Sequence, residues 1–190
     1  QAAEAARDAD QFRRPVFSKE MIKRYAQAKK SYEEPVVIVS QEEAELASKG
    51  FSTDKKTWKF KAKNVRDYAF ASSRRFIWDM MAVKLGDRDV MAVSMYPKEG
   101  NPLWEDWSTK VVASTLISYS RMTFDYPYPK AISVHAKNQG MEYPMICWNY
   151  GRPDEDGTYS DRTKYGMFGV VIHEIGHNYF PMIINSDERQ

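Results

Sequence analysis

Apolar residues recur at three- and four-residue spacing in some stretches of the chain and alternate with polar ones in others, so both helices and strands are expected. Residues 1–34 are highly charged and read as connecting structure. Within them Ser18 is placed to cap a surface helix running towards Lys30, with Met21, Ile22 and Tyr25 on one face. Pro35–Val39 is a β-branched run that predicts a buried strand, and Gln41–Ser48 predicts a short helix ended by Gly50. Trp58, Phe60 and Ala62 alternate with Lys59, Lys61 and Lys63, which predicts a half-exposed strand with its lysines in solvent. Further strands are expected at Tyr68–Ala71, Phe76–Leu85 and Val90–Tyr96, the last two joined by a turn at Gly86-Asp87. Together they suggest a meander with one buried face. After a loop at Pro97–Pro102, the apolar positions Trp104, Trp107, Val111, Val112, Leu116, Tyr119 and Met122 predict a long amphipathic helix over Leu103–Phe124. Asp125-Tyr126-Pro127-Tyr128-Pro129 stops that helix. Ala131–Ala136 alternates as a strand that leaves His135 half-exposed, and Met145–Trp148 predicts another. Residues 151–161 are a polar loop. A last helix follows, capped by Asp161 or Thr163 and bent or ended by Pro181.

Composition narrows the function classes. The chain has 190 residues with 28 basic against 26 acidic side chains, a balance that gives no electrostatic case for nucleic acid or an anionic membrane. The Lys59–Lys63 stretch does not change this, because alternation sends the lysines and the aromatics to opposite faces. No apolar run is long enough for a transmembrane segment. The single cysteine, Cys147, excludes an internal disulfide framework and sits among large apolar residues, as a buried thiol would. Either side of a membrane is compatible with it.

The last helix carries the chemistry. His173-Glu174-Ile175-Gly176-His177 places two of the chain's three histidines four residues apart, on one helix face, where both imidazoles can reach one divalent metal. Zinc suits that pair best, although nickel, cobalt or copper can occupy it in vitro. Glu174 stands beside the same point, where a carboxylate can take a proton from an activated water. A catalytic zinc takes three protein ligands, and two are in view. The metzincin continuation fails, since Phe180 and Ile183 occupy the positions of its glycine and histidine. Glu188 reaches the metal only through an unusual turn and reads as a surface charge next to Arg189.

His173-Glu174-Ile175-Gly176-His177-Asn178-Tyr179-Phe180, followed by Asn185-Ser186-Asp187-Glu188-Arg189-Gln190, resembles the alanyl aminopeptidase (aminopeptidase N) family of gluzincin metallopeptidases. It is most similar to the bacterial branch whose second motif reads Gly-Met-Glu-Tyr-Pro, as Gly140-Met141-Glu142-Tyr143-Pro144 does here. The commoner form of that motif is Gly-Ala-Met-Glu-Asn, from which this chain departs with Gln139, Gly140 and Tyr143. The resemblance is specific from about Val65 to Gln190. It implies that Glu142 binds the substrate's free α-amino group, with Gly140 and Met141 also lining the substrate site. It further implies a third zinc ligand, a glutamate, and a transition-state tyrosine, both beyond Gln190, so the chain is expected to be the middle of a longer enzyme.

The implied fold is α+β and thermolysin-like: a mixed sheet followed by the zinc helix, with the second helical half missing. Residues 1–72 are then a connecting segment and the end of an N-terminal β domain, and 73–190 the first part of the catalytic domain. The expected function is a zinc aminopeptidase acting on peptides with a free N-terminus. His173 and His177 hold Zn2+, Glu174 acts as general base, and the isolated chain binds zinc weakly and turns over little. The alternatives are a zinc endopeptidase or other hydrolase on the same site, and a non-catalytic peptide-binding module.

Overall fold

The structure, a computed structural model, describes residues 17–187 apart from 56, 138 and 139. Helix α1 (Lys19–Ala28) begins where Ser18 accepts a hydrogen bond from the Met21 amide. Strand β1 (Val36–Val39) leads into α2 (Gln41–Ser48), which opens on a capping box between Ser40 and Glu43. Strands β2 (Ile77–Leu85) and β3 (Arg88–Tyr96) form a hairpin whose turn uses Gly86 at φ 57°. A short 3₁₀ turn at Lys98–Gly100 precedes α3 (Leu103–Met122). Then come β4 (Lys130–His135), β5 (Met141–Tyr143), β6 (Ile146–Asn149) and α4 (Asp161–Gly176).

The six strands form one mixed sheet in the order β1-β2-β3-β4-β6-β5. β4 runs parallel to β3 and to β6, with α3 as the crossover, and the other pairs are antiparallel. β1 pairs with β2, so this sheet draws strands from both sides of residue 72. Among the described residues no helix is long and apolar enough to cross a membrane.

The hairpin is buried on both faces, not on one. Ile77, Met81, Val83 and Leu85 of β2 join Val90, Ala92 and Tyr96 of β3 in a core with α3 and α4. Trp78, Met80 and Ala82, with Met91 and Val93, enter a second core under α1, closed by Phe17, Met21 and Tyr25. Each large apolar side chain withdrawn from water in this way contributes about 1.5–3 kcal/mol. The near-continuous apolar run of β2 is the signature of a strand covered on both sides. Of its two polar residues Lys84 is exposed, while Asp79 is buried on the α3 face and accepts hydrogen bonds from Tyr96 Oη (2.6 Å) and Thr109 Oγ1.

Residues 51–75 contain no regular secondary structure among those described, so the strands expected at Trp58–Lys63 and Tyr68–Ala71 do not form. Ala62 and Val65 pack on the main core, while Trp58, Phe60, Tyr68 and Phe70 stay exposed, the rings of Phe60 and Phe70 stacked at 6.2 Å. Alternation marks which side chains share a face, but a strand also needs a neighbouring strand, and among the described residues none pairs with this stretch. Arg66 ties it to the chain beyond α4, donating to Asn185 Oδ1 (3.1 Å) and the Pro181 carbonyl (3.4 Å).

Candidate metal centre

α4 is capped by Ser160, one residue before Asp161 and three before Thr163, the two expected caps; the Ser160 hydroxyl accepts from the Thr163 amide at 3.2 Å. Met167, Val171, Glu174 and Ile175 form its buried stripe, at the three- and four-residue spacing that keeps side chains on one face. The helix ends at Gly176 with His177 as its cap, four residues ahead of Pro181. The chain then tightens into turns: the amides of Asn178 and Tyr179 bond the carbonyls of Ile175 and Gly176 at 3.0 and 2.9 Å. Pro181 contributes by disfavouring helical geometry at the residue before it.

His173 and His177 leave that stripe on the exposed side, and their Nε2 atoms converge to 3.0 Å with the ring planes at 86°. That contact is a hydrogen bond when one Nε2 carries a proton, and both nitrogens are free to bind a metal when neither does. Two nitrogens bound to a tetrahedral zinc at about 2.0–2.1 Å lie about 3.4 Å apart, close to the separation seen here. One ligand atom from each of His173, Glu174 and His177 fits within a 4.8 Å group. The group could hold a metal ion, and imidazole nitrogens are donors that suit zinc.

Glu174 sits under the histidines, 6% exposed. Burial raises its carboxyl above the usual range, the charges of His173 and His177 pull it back down, and Glu142 pushes it up again. Its position depends on Gly140: a Cβ there would stand 2.5 Å from Glu174 Oε1 and 3.0 Å from Val170 Cγ2. Gly140 thus lies directly against the general-base candidate. Met141 and Glu142 belong to β5, the sheet's last strand, rather than to a loop, with Glu142 opposite Cys147 of β6. Met141 is exposed and Glu142 half-buried. The two motifs, thirty residues apart in the chain, are therefore brought together by the contact of β5 with α4.

His135 is not part of this group, and it is buried rather than half-exposed. It packs against Trp104 (5.1 Å) and Tyr150 (6.0 Å), and its Nε2 accepts from Arg152 Nε at 3.3 Å. Burial, helped by the Arg152 charge, lowers its pKa to about 4. Cys147 is also buried, which pushes its thiol up to about 12. Gln139 and Glu188 lie outside the described residues.

Sequence reasoning missed Asn178. It is 2% exposed and continues the buried stripe of α4 past the helix end. Its signal was there to be found: a polar residue four positions after Glu174, on the face that otherwise carries Met167 and Val171. No protein-family model matches the chain, and no curated protein matches it in sequence.

Proposed function

We propose that the chain carries the metal-holding half of a zinc aminopeptidase active site on a thermolysin-like fold. The observation that carries the reading is the convergence of His173 and His177 Nε2 to 3.0 Å over the buried carboxyl group of Glu174. Zinc held there supplies Lewis acidity and lowers the pKa of water towards about 7.

The chain's own residues do the rest. Glu174, whose Oε1 lies against Gly140, takes the proton from the attacking water and returns it to the leaving amine. β5 ends the sheet, so its outer edge offers backbone N–H and C=O groups to an extended peptide. Glu142 on that strand pairs with the charged N-terminus of the peptide. Such an anion favours only substrates that carry the amine, which confines cleavage to the first peptide bond.

The test compares zinc-dependent hydrolysis by the full-length natural protein of one peptide with a free N-terminus and the same peptide N-acetylated. Cleavage of the free form alone is expected, with Glu142→Ala losing about 10²-fold in kcat/KM, as befits removal of one partner of a desolvated charge pair. Equal cleavage of both peptides would keep the zinc chemistry and remove Glu142 as the amine anchor. Cleavage of neither, with zinc bound, would identify a peptide-binding module instead.

A further inference from the structure

An aminopeptidase site of this kind needs two positions held at a constant separation: the metal pair, on a helix, and the amine anchor, on a strand. β5 is only three residues long and pairs on one side only, with β6. Its own ladder is a weak hold on Glu142. The turn that joins β5 to β6 includes Met145 at φ 67°, a left-handed conformation uncommon for a residue with a long side chain.

Two contacts hold that turn: the Ile132 amide of β4 donates to the Met145 carbonyl (2.9 Å), and one side chain grips the rest. Asn178, the residue after the second histidine, accepts a hydrogen bond at Oδ1 from the Met145 amide (2.9 Å) and from Tyr126 Oη (3.4 Å). Its Nδ2 donates to the Tyr143 carbonyl (3.4 Å). Tyr126, fully buried, shares its one hydroxyl proton between Asn178 Oδ1 and the Lys130 carbonyl at the start of β4. The amide thus grips both sides of the β5–β6 turn and is itself braced against the sheet. Its backbone continues directly from His177. A hydrophobic residue of the same size would leave the buried Met145 N–H without a partner.

We propose that Asn178 is a positioning residue that fixes Glu142 at its working distance from the His173–His177 pair, and so sets the preference for substrates with a free amine. This rests on the aminopeptidase reading above. Asn178 touches no reacting atom; it acts through the turn.

The test uses the full-length zinc-loaded protein and calorimetric dissociation constants for two probes, leucine hydroxamate and its des-amino analogue. Both grip zinc and only the first carries the amine, so the ratio of their constants reports the anchor alone. In the wild type the amine is expected to tighten binding. In Asn178→Ala that ratio should fall by about tenfold, with zinc content kept and the des-amino probe changed less than about threefold. In a Glu142→Gln background the ratio is already near one, and Asn178→Ala should leave it there. Asn178→Asp is isosteric and keeps the acceptor for the Met145 amide but loses the donor to the Tyr143 carbonyl, so its ratio should also fall, by no more than in Asn178→Ala, and it serves if the alanine variant does not fold.

A wild type that binds the two probes equally sinks the amine-anchor reading itself. A wild type that discriminates, with Asn178→Ala discriminating as strongly or weakening both probes alike, sinks this inference alone. An unchanged ratio in Asn178→Asp does the same.

Discussion

At the residue scale, the site is defined by what Gly140 lacks. The space a side chain would take there is filled by Glu174 Oε1, 2.5 Å from an ideal Cβ, and by Val170 Cγ2. The atom in the way is the tip of a flexible side chain, not backbone, so a larger residue displaces the carboxylate more than it disturbs the fold. Gly140→Val is therefore expected to lower kcat by about 10²-fold, within the range for a misplaced general base. Zinc content should be unchanged, and the melting temperature should move by only a few degrees. Steady-state kinetics on the full-length protein, read beside its zinc content, check this. An unaltered kcat would mean that Glu174 does not carry the proton from the position it holds here.

At the scale of elements, the metal pair depends on how α4 docks on the loop that follows β6. Gly151 meets the helix at Met167: a Cβ at 151 would lie 2.7 Å from Met167 Cβ and 3.6 Å from its Cα. The Gly151 carbonyl also accepts from Trp104 Nε1 at 2.7 Å, which pins the loop to α3. With the loop held, the methyl of Gly151→Ala has to push α4 outward. Overpacking of this kind costs about 1–3 kcal/mol, or roughly 2–12 °C in melting temperature for a chain of this size. Thermal unfolding with and without zinc measures it, and no change in either would show that α4 shifts freely. Much of this element plan was legible in the sequence. The cap at Ser18, the short helix at Gln41–Ser48, the hairpin about Gly86, the span of α3 and the His-Glu-x-x-His face all follow from local chemistry. What was not legible depends on neighbours. β5 is too short for periodicity and exists because β6 pairs with it; Trp58–Lys63 alternates but has no partner strand. Likewise, β2 reads as half-buried until α1 is known to cover its second face.

At the scale of the whole molecule, two buried titratable groups act on stability in opposite directions. Asp79, buried on β2 beneath α3, faces Tyr96 and Thr109, with the Glu105 charge nearby; burial outweighs both hydroxyl donors and raises its pKa from 3.8 to about 7. The folded chain then holds a proton that the unfolded chain releases, so its contribution is full below pH 3.8 and is lost as the pH rises through about 7. His135, facing Arg152 and the more distant Glu99, is lowered from 6.5 to about 4. Its contribution has the other sign: it is full above pH 6.5 and is lost as the pH falls through about 4. Each effect is of order a few kcal/mol, at about 1.4 kcal/mol per pKa unit, and their windows overlap almost entirely. Between about pH 4 and 6.5 the two therefore offset each other, and the wild-type chain should show a shallow dependence from this pair. Single variants remove the compensation. Urea unfolding across that range should give a stability that climbs with pH in Asp79→Asn, where only the histidine remains. It should fall with pH in His135→Gln, where only the carboxyl remains. Parallel curves for both variants and the wild type would mean that neither group keeps its shifted protonation in the folded chain.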